Sequence, residues 1–405
     1  MRKTLFVSLF ALLTASLLLS ACGTAETLTP QTIVQTQMVE ITSTPGPSAP
    51  TPLPAGSVQI TGQGATFPLP VYTQWTYAYQ YVDPSVAINY NGTGSGAGKT
   101  AIINNTVDFA GSDSLLSDQN YTDGKDLQMY PMLAGAVVNI YNIKWNTVKG
   151  PAVGAGTPTP TPAPIPTLIL NRQTLVDIHN AKVTMWNDPE IVALNPGLKD
   201  YLPAAKITVA HRSDGSGTTE IFTKSLTSFS KDWTAGGAQS VQWPVDKAGN
   251  GIGGKGNAGV AAVVINTPNS IGYVELSYAK SNSLAFAQMI NQAGKTVTAN
   301  AGSVGAAMAE FAGTFTDKLT NTIVDGKSDG AWPMTGYTYI ILHTTSMKDC
   351  TKAAKIIEFL KWAQTDAGAQ KAASDLGYSV LPDAVRQKVL AKLGEVTCNG
   401  AKVLP

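Results

Sequence analysis

Short apolar runs alternate with stretches of helical periodicity from residue 57 onward. Runs rich in β-branched and aromatic residues predict strands at 58–61, 87–90, 107–110, 137–140, 207–210, 271–274 and 337–343. Apolar positions spaced three or four apart predict helices at 71–81, 99–104, 221–229, 304–311, 351–364 and 384–393. This alternation predicts an α/β fold with a mostly parallel sheet and helices on both faces.

Three glycine-rich turns follow predicted strands and open predicted helices, at residues 62–68, 91–98 and 212–219. One turn of this composition is most often only a turn. Helix N-termini, however, present unpaired N–H groups and a positive dipole end to anions, and Arg212 adds a planar fork of donors. Since ligands of such sheets lie at the carboxyl ends of strands, the three turns together predict one shared oxyanion pocket.

The sequence argues against nucleotide binding and against serine-based hydrolysis. The second turn nearly matches the nucleotide-binding pattern G-x-x-x-x-G-K-[ST], but Thr93 stands at its first glycine, and residues 249–256 end in Gly256 where a hydroxyl is required. Ser95 and Ser216 are flanked by glycine but lie outside G-x-S-x-G, and no histidine is placed as a base. We therefore expect no enzyme, and hydroxyl groups that donate hydrogen bonds.

Two aspartates near these turns have alternative interpretations. Asp113 follows the strand pattern at 107–110 and is either a helix cap or turn former, or the one acceptor in the pocket. A carboxylate repels an anion unless that anion carries a proton it can accept; hydrogen phosphate has one and sulfate has none, so an acceptor here would reject sulfate. Asp214, two residues from Arg212, either orients the guanidinium by an ion pair or makes an Asx turn.

Composition narrows the choice of partners. The 405 residues carry a net charge of +1, with 14% charged and 43% hydrophobic residues, which is ample for a packed core in two lobes. A near-neutral chain without a basic run argues against nucleic acid. The histidines 179, 211 and 343 are scattered without metal-ligand spacing, so we expect neither a metal nor a cofactor.

The N-terminus predicts export. Arg2 and Lys3 precede an apolar run at 5–19, which matches a signal peptide over residues 1–22 and is short for a membrane span. The run ends Leu-Ser-Ala-Cys-Gly, which resembles a bacterial lipobox and predicts lipidation of Cys22; the alternative is an ordinary cleavage site containing a cysteine. Acyl chains on Cys22 would anchor the protein to the membrane rather than make it span.

Two proline-rich tracts and two cysteines complete the organisation. Residues 23–56 cannot bury a core and predict an extended tether, whereas residues 154–166 are either a surface insertion, which we favour, or an interdomain linker. Outside the cytoplasm, Cys350 and Cys398 predict a disulfide worth ~3–4 kcal/mol, with two unrelated thiols as the alternative.

Six segments carry a family resemblance, at residues 61–68, 106–113, 212–219, 253–260, 270–275 and 331–333. Together they closely resemble the phosphate-binding proteins of bacterial ABC phosphate importers. The resemblance implies a two-lobed, type-II periplasmic-binding fold whose hinge-linked lobes close on inorganic phosphate. It places lobe I at 57–134 and 332–405, lobe II at 135–331, and hinge strands near 135–138 and 335–339.

The resemblance also implies a set of phosphate ligands. The implied donors are Thr66, Phe67, Ser95, Arg212, Ser216, Gly217 and Thr218. Asp113 would accept the phosphate proton, and Asp214 would hold Arg212. This sequence departs from the family at the second turn, where Gly96-Ala97 stands in place of the expected Ser-Gly, although Ser95 stays in register.

The leading hypothesis is a monomeric, lipid-anchored solute-binding protein on the extracytoplasmic face of the plasma membrane. It would hand phosphate to the permease and ATPase subunits of an ABC transporter. The alternatives are a binding protein for sulfate or molybdate, against which Asp113 argues, a secreted phosphatase, for which no nucleophile–base pair or metal ligands are visible, and a surface adhesin or phosphate sensor on the same scaffold.

Overall fold

The computed structural model describes residues 57–147 and 165–404. The strands are β1 Val58–Gly64, β2 Val86–Gly92, β3 Phe109–Ser112, β4 Leu127–Asn142, β5 Ile169–Asn171, β6 Thr208–Arg212, β7 Gly251–Gly254, β8 Ser270–Glu275, β9 Gln288–Ile290, β10 Thr296–Val297, β11 Thr335–His343, β12 Ser379–Val380, β13 Thr397–Cys398 and β14 Ala401–Lys402. The helices are α1 Leu69–Tyr79, α2 Ser95–Ile103, α3 Asp118–Gly124, α4 Arg172–His179, α5 Pro189–Leu194, α6 Gly217–Phe229, α7 Pro244–Lys247, α8 Gly256–Asn266, α9 Leu276–Ser281, α10 Ala301–Glu310, α11 Cys350–Thr365, α12 Ala367–Leu376 and α13 Asp383–Leu393.

A mixed sheet forms the centre of the molecule, with strand order β2-β1-β3-β11-β4-β8-β6-β7. The first three strands are parallel to one another, and so are β8, β6 and β7. Between these two blocks, β11 and β4 run antiparallel to their neighbours. The α/β class is confirmed, and the expectation of a mostly parallel sheet is wrong, because the two parallel blocks run in opposite directions and are joined by three antiparallel pairings.

Strand β4 joins the two parallel blocks. It pairs with β11 through Ala136, where Thr335 lies opposite, and with β8 from Val137, where Glu275 lies opposite. All of its residues except the last are buried. Because a strand buried on both faces has no polar alternation, its full length could not be recognised from the pattern, which predicted only residues 137–140.

Two glycines, at the end of β1 and after β2, adopt backbone conformations with positive φ that residues with a side chain rarely adopt. Gly64 has φ 144°, and a Cβ there would meet the carbonyl oxygen of Gly111 at 2.0 Å, so any side chain would clash with backbone. Gly94 has φ 96° and directly precedes α2. That helix begins at Ser95, four residues before the predicted start at residue 99, because tertiary contacts outweigh the poor helix propensity of its glycines.

The Cys350–Cys398 disulfide joins the first residue of α11 to β13, with the two Cα atoms 5.5 Å apart. It spans 48 positions, a ring size for which cross-linking the unfolded chain is worth about 4 kcal/mol. The predicted signal peptide 1–22 with Cys22, the tether 23–56 and all but the last two residues of the insertion 154–166 lie outside the described residues. Within 57–147 and 165–404, no helix is both long and apolar enough to span a bilayer.

Candidate anion-binding site

Four chain segments that leave strands of the central sheet meet at one point. The N–H of Gly217, the first residue of α6, donates to Ser95 Oγ at the start of α2 (3.1 Å). The N–H of Asn257, at the start of α8, donates to Thr66 Oγ1 in the turn between β1 and α1 (3.2 Å). Asn257 Nδ2 donates to Thr218 Oγ1 (3.1 Å) and so links α8 to α6. The positive ends of four helices therefore face a common centre.

Several backbone donors at this centre have no acceptor. Among the described residues, we find no hydrogen-bond partner for the N–H groups of Phe67, Ser95 and Thr218. All three residues are fully buried. Buried N–H groups in proteins are almost always paired, so these three are donors that an anion with several acceptor oxygens can satisfy.

Arg212 brings a positive charge to the same place. Its side chain is 1% exposed and donates two parallel hydrogen bonds to Asp214, from Nε to Oδ1 at 2.7 Å and from Nη2 to Oδ2 at 2.5 Å. Nη1 points to Thr218 Oγ1 at 3.4 Å. Burial alone would raise the pKa of Asp214, but the hydrogen bonds and charge of Arg212 hold that pKa below its ordinary value. Asp214 therefore makes the ion pair, and it fixes the plane of the guanidinium.

Asp113 is the acceptor among these donors. Its carboxyl is buried, with Oδ2 3.5 Å from Ser95 Oγ and with Oδ1 unpartnered in the described structure. Burial raises the pKa of Asp113 to about 7, although the Thr338 hydroxyl, the charge of Arg212 and the Ser95 hydroxyl act in the opposite direction. A Cβ on Gly217 would lie 2.5 Å from the Asp113 Cβ, so α6 can approach this carboxyl only with glycine at its first position.

All the predicted site residues lie together, but two hydroxyls make bonds that the sequence did not predict. Ser216 Oγ accepts the N–H of Thr219 (3.0 Å) and thereby caps α6. Thr66 Oγ1 accepts both the N–H and the side-chain amide of Asn257. Each hydroxyl retains its own proton for donation, so capping and ligand binding are compatible. No group of three His, Cys, Asp or Glu in the described ranges could hold a metal ion.

Asn257 is the site residue that sequence reasoning missed. Its side chain is fully buried, bridges Thr66 and Thr218, and accepts the N–H of Glu275 (2.9 Å). The signal was present, because residues 253–260 match the family, but residues 249–256 were considered only as a failed nucleotide loop. That stretch instead contains β7 and the first residue of α8.

We expect Asn257→Ala to weaken anion binding about tenfold, because it removes the bridge that positions the two hydroxyls. Calorimetric titration of the purified variant measures this. Asn142→Ala is the matched control, since Asn142 Nδ2 binds the carbonyls of Val264 and Ile265 at the opposite end of the same helix. Equal affinities of the two variants would contradict a role of Asn257 in binding.

Comparison with known proteins shows the superfamily and the fold of this chain. The model of the PBP superfamily domain matches residues 49–367. The human phosphate binding apolipoprotein has the same fold at a TM-score of 0.63 and 20% identity, over 85% of this chain and 99% of that one. This chain therefore has the two-lobed fold of periplasmic binding proteins.

Closer relatives define the family. The phosphate-binding protein PstS of Pasteurella multocida is 38% identical over 349 residues, which cover 85% of this chain and 93% of that protein. PstS of Haemophilus influenzae is 36% identical over 325 residues, covering 80% and 89% respectively. The chain belongs to the PstS family of the PBP superfamily, a family of binding proteins and not of enzymes.

Proposed function

We propose that this protein captures inorganic phosphate outside the cytoplasm and delivers it to an ABC phosphate permease. The observation that carries the proposal is the meeting of four helix N-termini around buried, unpartnered N–H groups, with one arginine and one carboxyl at the same centre. The names of the related PstS proteins support the same ligand.

The proposed ligand set has one acceptor and many donors. Phosphate oxygens would accept from the backbone of Phe67, Ser95 and Thr218 and from the Arg212 guanidinium. The remaining ligands in the proposal are the hydroxyls of Thr66 and Ser216 and the N–H of Gly217, which would be shared between Ser95 Oγ and a phosphate oxygen. Asp113 Oδ1, which has no partner in the described structure, would accept the proton of hydrogen phosphate. This pattern matches an oxyanion that carries a proton, and it opposes one that carries none.

We further propose that residues 57–134 with 332–405 form one lobe and residues 135–331 the other. The hinge would lie where β4 exchanges β11 for β8, next to the pairing of Gly135 with Gly336. The Ser95–Gly217 and Thr66–Asn257 bonds would then join the two lobes across the ligand. A monomer with such a cleft would present its lobes to the membrane permease of the transporter, which works together with the ATPase subunits.

One equilibrium titration tests the proposed function. Purified protein is titrated with phosphate, with and without a large excess of sulfate, near pH 8. We expect saturable 1:1 phosphate binding that sulfate does not displace. An absence of phosphate binding, or equal competition by sulfate, would contradict the proposal.

We propose a lipid anchor at Cys22, separated from the binding domain by the tether 23–56. Cys22→Ser is therefore expected to move the protein from the membrane to the soluble fraction without a change in phosphate affinity. Fractionation of cells and calorimetry measure the two properties separately. Retention of the variant in the membrane fraction would show that another segment anchors the protein.

A further inference from the structure

Three tyrosine hydroxyls bind three consecutive carbonyl groups of the turn between β1 and α1. Tyr90 donates to the carbonyl of Ala65 (2.9 Å), Tyr278 to that of Thr66 (2.6 Å), and Tyr378 to that of Phe67 (2.7 Å). Tyr278 and Tyr378 are buried, and burial raises the pKa of all three phenols, so that they remain protonated donors at neutral pH.

Peptide geometry gives these bonds a directional consequence. In a trans peptide the carbonyl and the following N–H point in opposite directions within one plane. The bond from Tyr90 therefore directs the N–H of Thr66 away from that hydroxyl, and the bond from Tyr278 does the same for the N–H of Phe67. Pro68 has no N–H, so Tyr378 fixes the end of the turn and directs no donor.

We propose that Tyr90 and Tyr278 are positioning residues that aim the N–H groups of Thr66 and Phe67 at the bound anion, while Tyr378 holds the end of the same turn. This inference rests on the proposed function, since the anion in question is phosphate. The hydroxyls themselves touch only the carbonyl side of the turn. They would raise affinity by holding these donors in the direction of the anion, so that less of the binding free energy is spent on ordering the turn.

The two tyrosines that direct N–H groups come from segments far apart in the chain, so the two bonds coexist only when these segments lie together. Tyr90 lies in β2, near the turn, whereas Tyr278 lies in α9, within the 135–331 segment. Its bond therefore forms only while that segment lies against residues 65–67. Asn257, from the same segment, donates to Thr66 Oγ1, so this bond depends on the same approach. The complete set of donors is thus aimed when the two segments are together.

Glu275 supports the third bond. Tyr378 has a single proton, and both the Phe67 carbonyl and Glu275 Oε2 lie within reach, at 2.7 and 2.9 Å. Burial raises the pKa of Glu275 to about 8. At neutral pH the carboxyl is then largely protonated and is a weaker acceptor than a carboxylate, which favours donation from the Tyr378 hydroxyl to the Phe67 carbonyl.

The test compares phenylalanine variants, which remove one oxygen and keep the ring. We expect Tyr278→Phe to weaken phosphate binding about tenfold and Tyr90→Phe by a similar factor. Calorimetry gives the affinity. Amide NMR gives a second readout: the shift of the Phe67 N–H on phosphate addition should shrink in Tyr278→Phe, while that of Thr218 stays as in the wild type.

Tyr141→Phe is the matched control, because Tyr141 is a buried tyrosine whose hydroxyl accepts the N–H of Leu168 away from the site. It should lower the melting temperature and leave phosphate affinity unchanged. Wild-type affinity in both Tyr278→Phe and Tyr90→Phe, or a loss of affinity equal to that of the control, would overturn the inference. If the wild-type protein itself fails to bind phosphate, the proposed function is wrong instead. Should Tyr278→Phe not fold, Tyr90→Phe carries the test alone.

Discussion

Replacing Arg212 by alanine is expected to weaken phosphate binding by about a thousandfold, or about 4 kcal/mol. Two effects add. The variant loses the charged donor aimed at the ligand, and it leaves Asp214, which is 14% exposed, with an uncompensated negative charge facing the anion. Calorimetric titration with phosphate measures the affinity, and thermal unfolding without ligand measures the accompanying loss of stability.

Two further variants distinguish the loss of a ligand charge from a general loss of stability. Arg172→Ala breaks another ion pair, that of Arg172 with the buried Asp325, and should lower stability without changing phosphate affinity. Arg212→Lys keeps the charge and loses the planar fork, so its affinity should fall between those of the wild type and the alanine variant. Unchanged affinity of Arg212→Ala would remove Arg212 from the ligand set.

The second large effect concerns selectivity. Asp113→Asn is expected to raise sulfate affinity by about a hundredfold. In the wild type, sulfate would bring an acceptor oxygen against the unpartnered Oδ1 of Asp113, which is a repulsive arrangement in a buried site. Asparagine can donate there, which removes the repulsion. Phosphate affinity should fall only modestly, because the amide oxygen still accepts the phosphate proton.

The raised pKa of Asp113 predicts the direction in which sulfate affinity changes with pH. Since that pKa is raised to about 7, lowering the pH through 7 protonates the carboxyl and converts an acceptor into a donor. Wild-type sulfate affinity should therefore rise between pH 8 and pH 5, whereas that of Asp113→Asn should stay nearly constant. Competition titrations of sulfate against phosphate across this range measure both curves.

Asp177→Asn is the control for these titrations, because it also neutralises a buried aspartate, one that pairs with Lys182 away from the site. It should retain the wild-type response of sulfate affinity to pH. Wild-type protein that binds sulfate as tightly as phosphate at pH 8 would show that Asp113 does not provide selectivity.

Features encoded within a few neighbouring residues were predicted from the sequence. The α/β class, the resemblance to phosphate-binding proteins and the three strand–turn–helix segments could be recognised because glycine, hydroxyl and apolar positions alternate locally. The proximity of Arg212 and Asp214 was equally accessible, since they are two positions apart. What the local pattern could not supply was the direction of strands, which depends on partners far along the chain.

The same limit explains the residues that were missed. Asn257 meets Thr66 across 191 positions, and Tyr278 and Tyr378 reach the first turn across 212 and 311 positions. Nothing next to the two tyrosines in the sequence marks them as polar contacts of a binding site, and Asn257 was marked only by the family resemblance of residues 253–260. The sequence by itself determined which turns could bind an anion. Only the tertiary structure decided which distant side chains hold those turns in place, because strand pairing through β4 and β11 sets the distances between them.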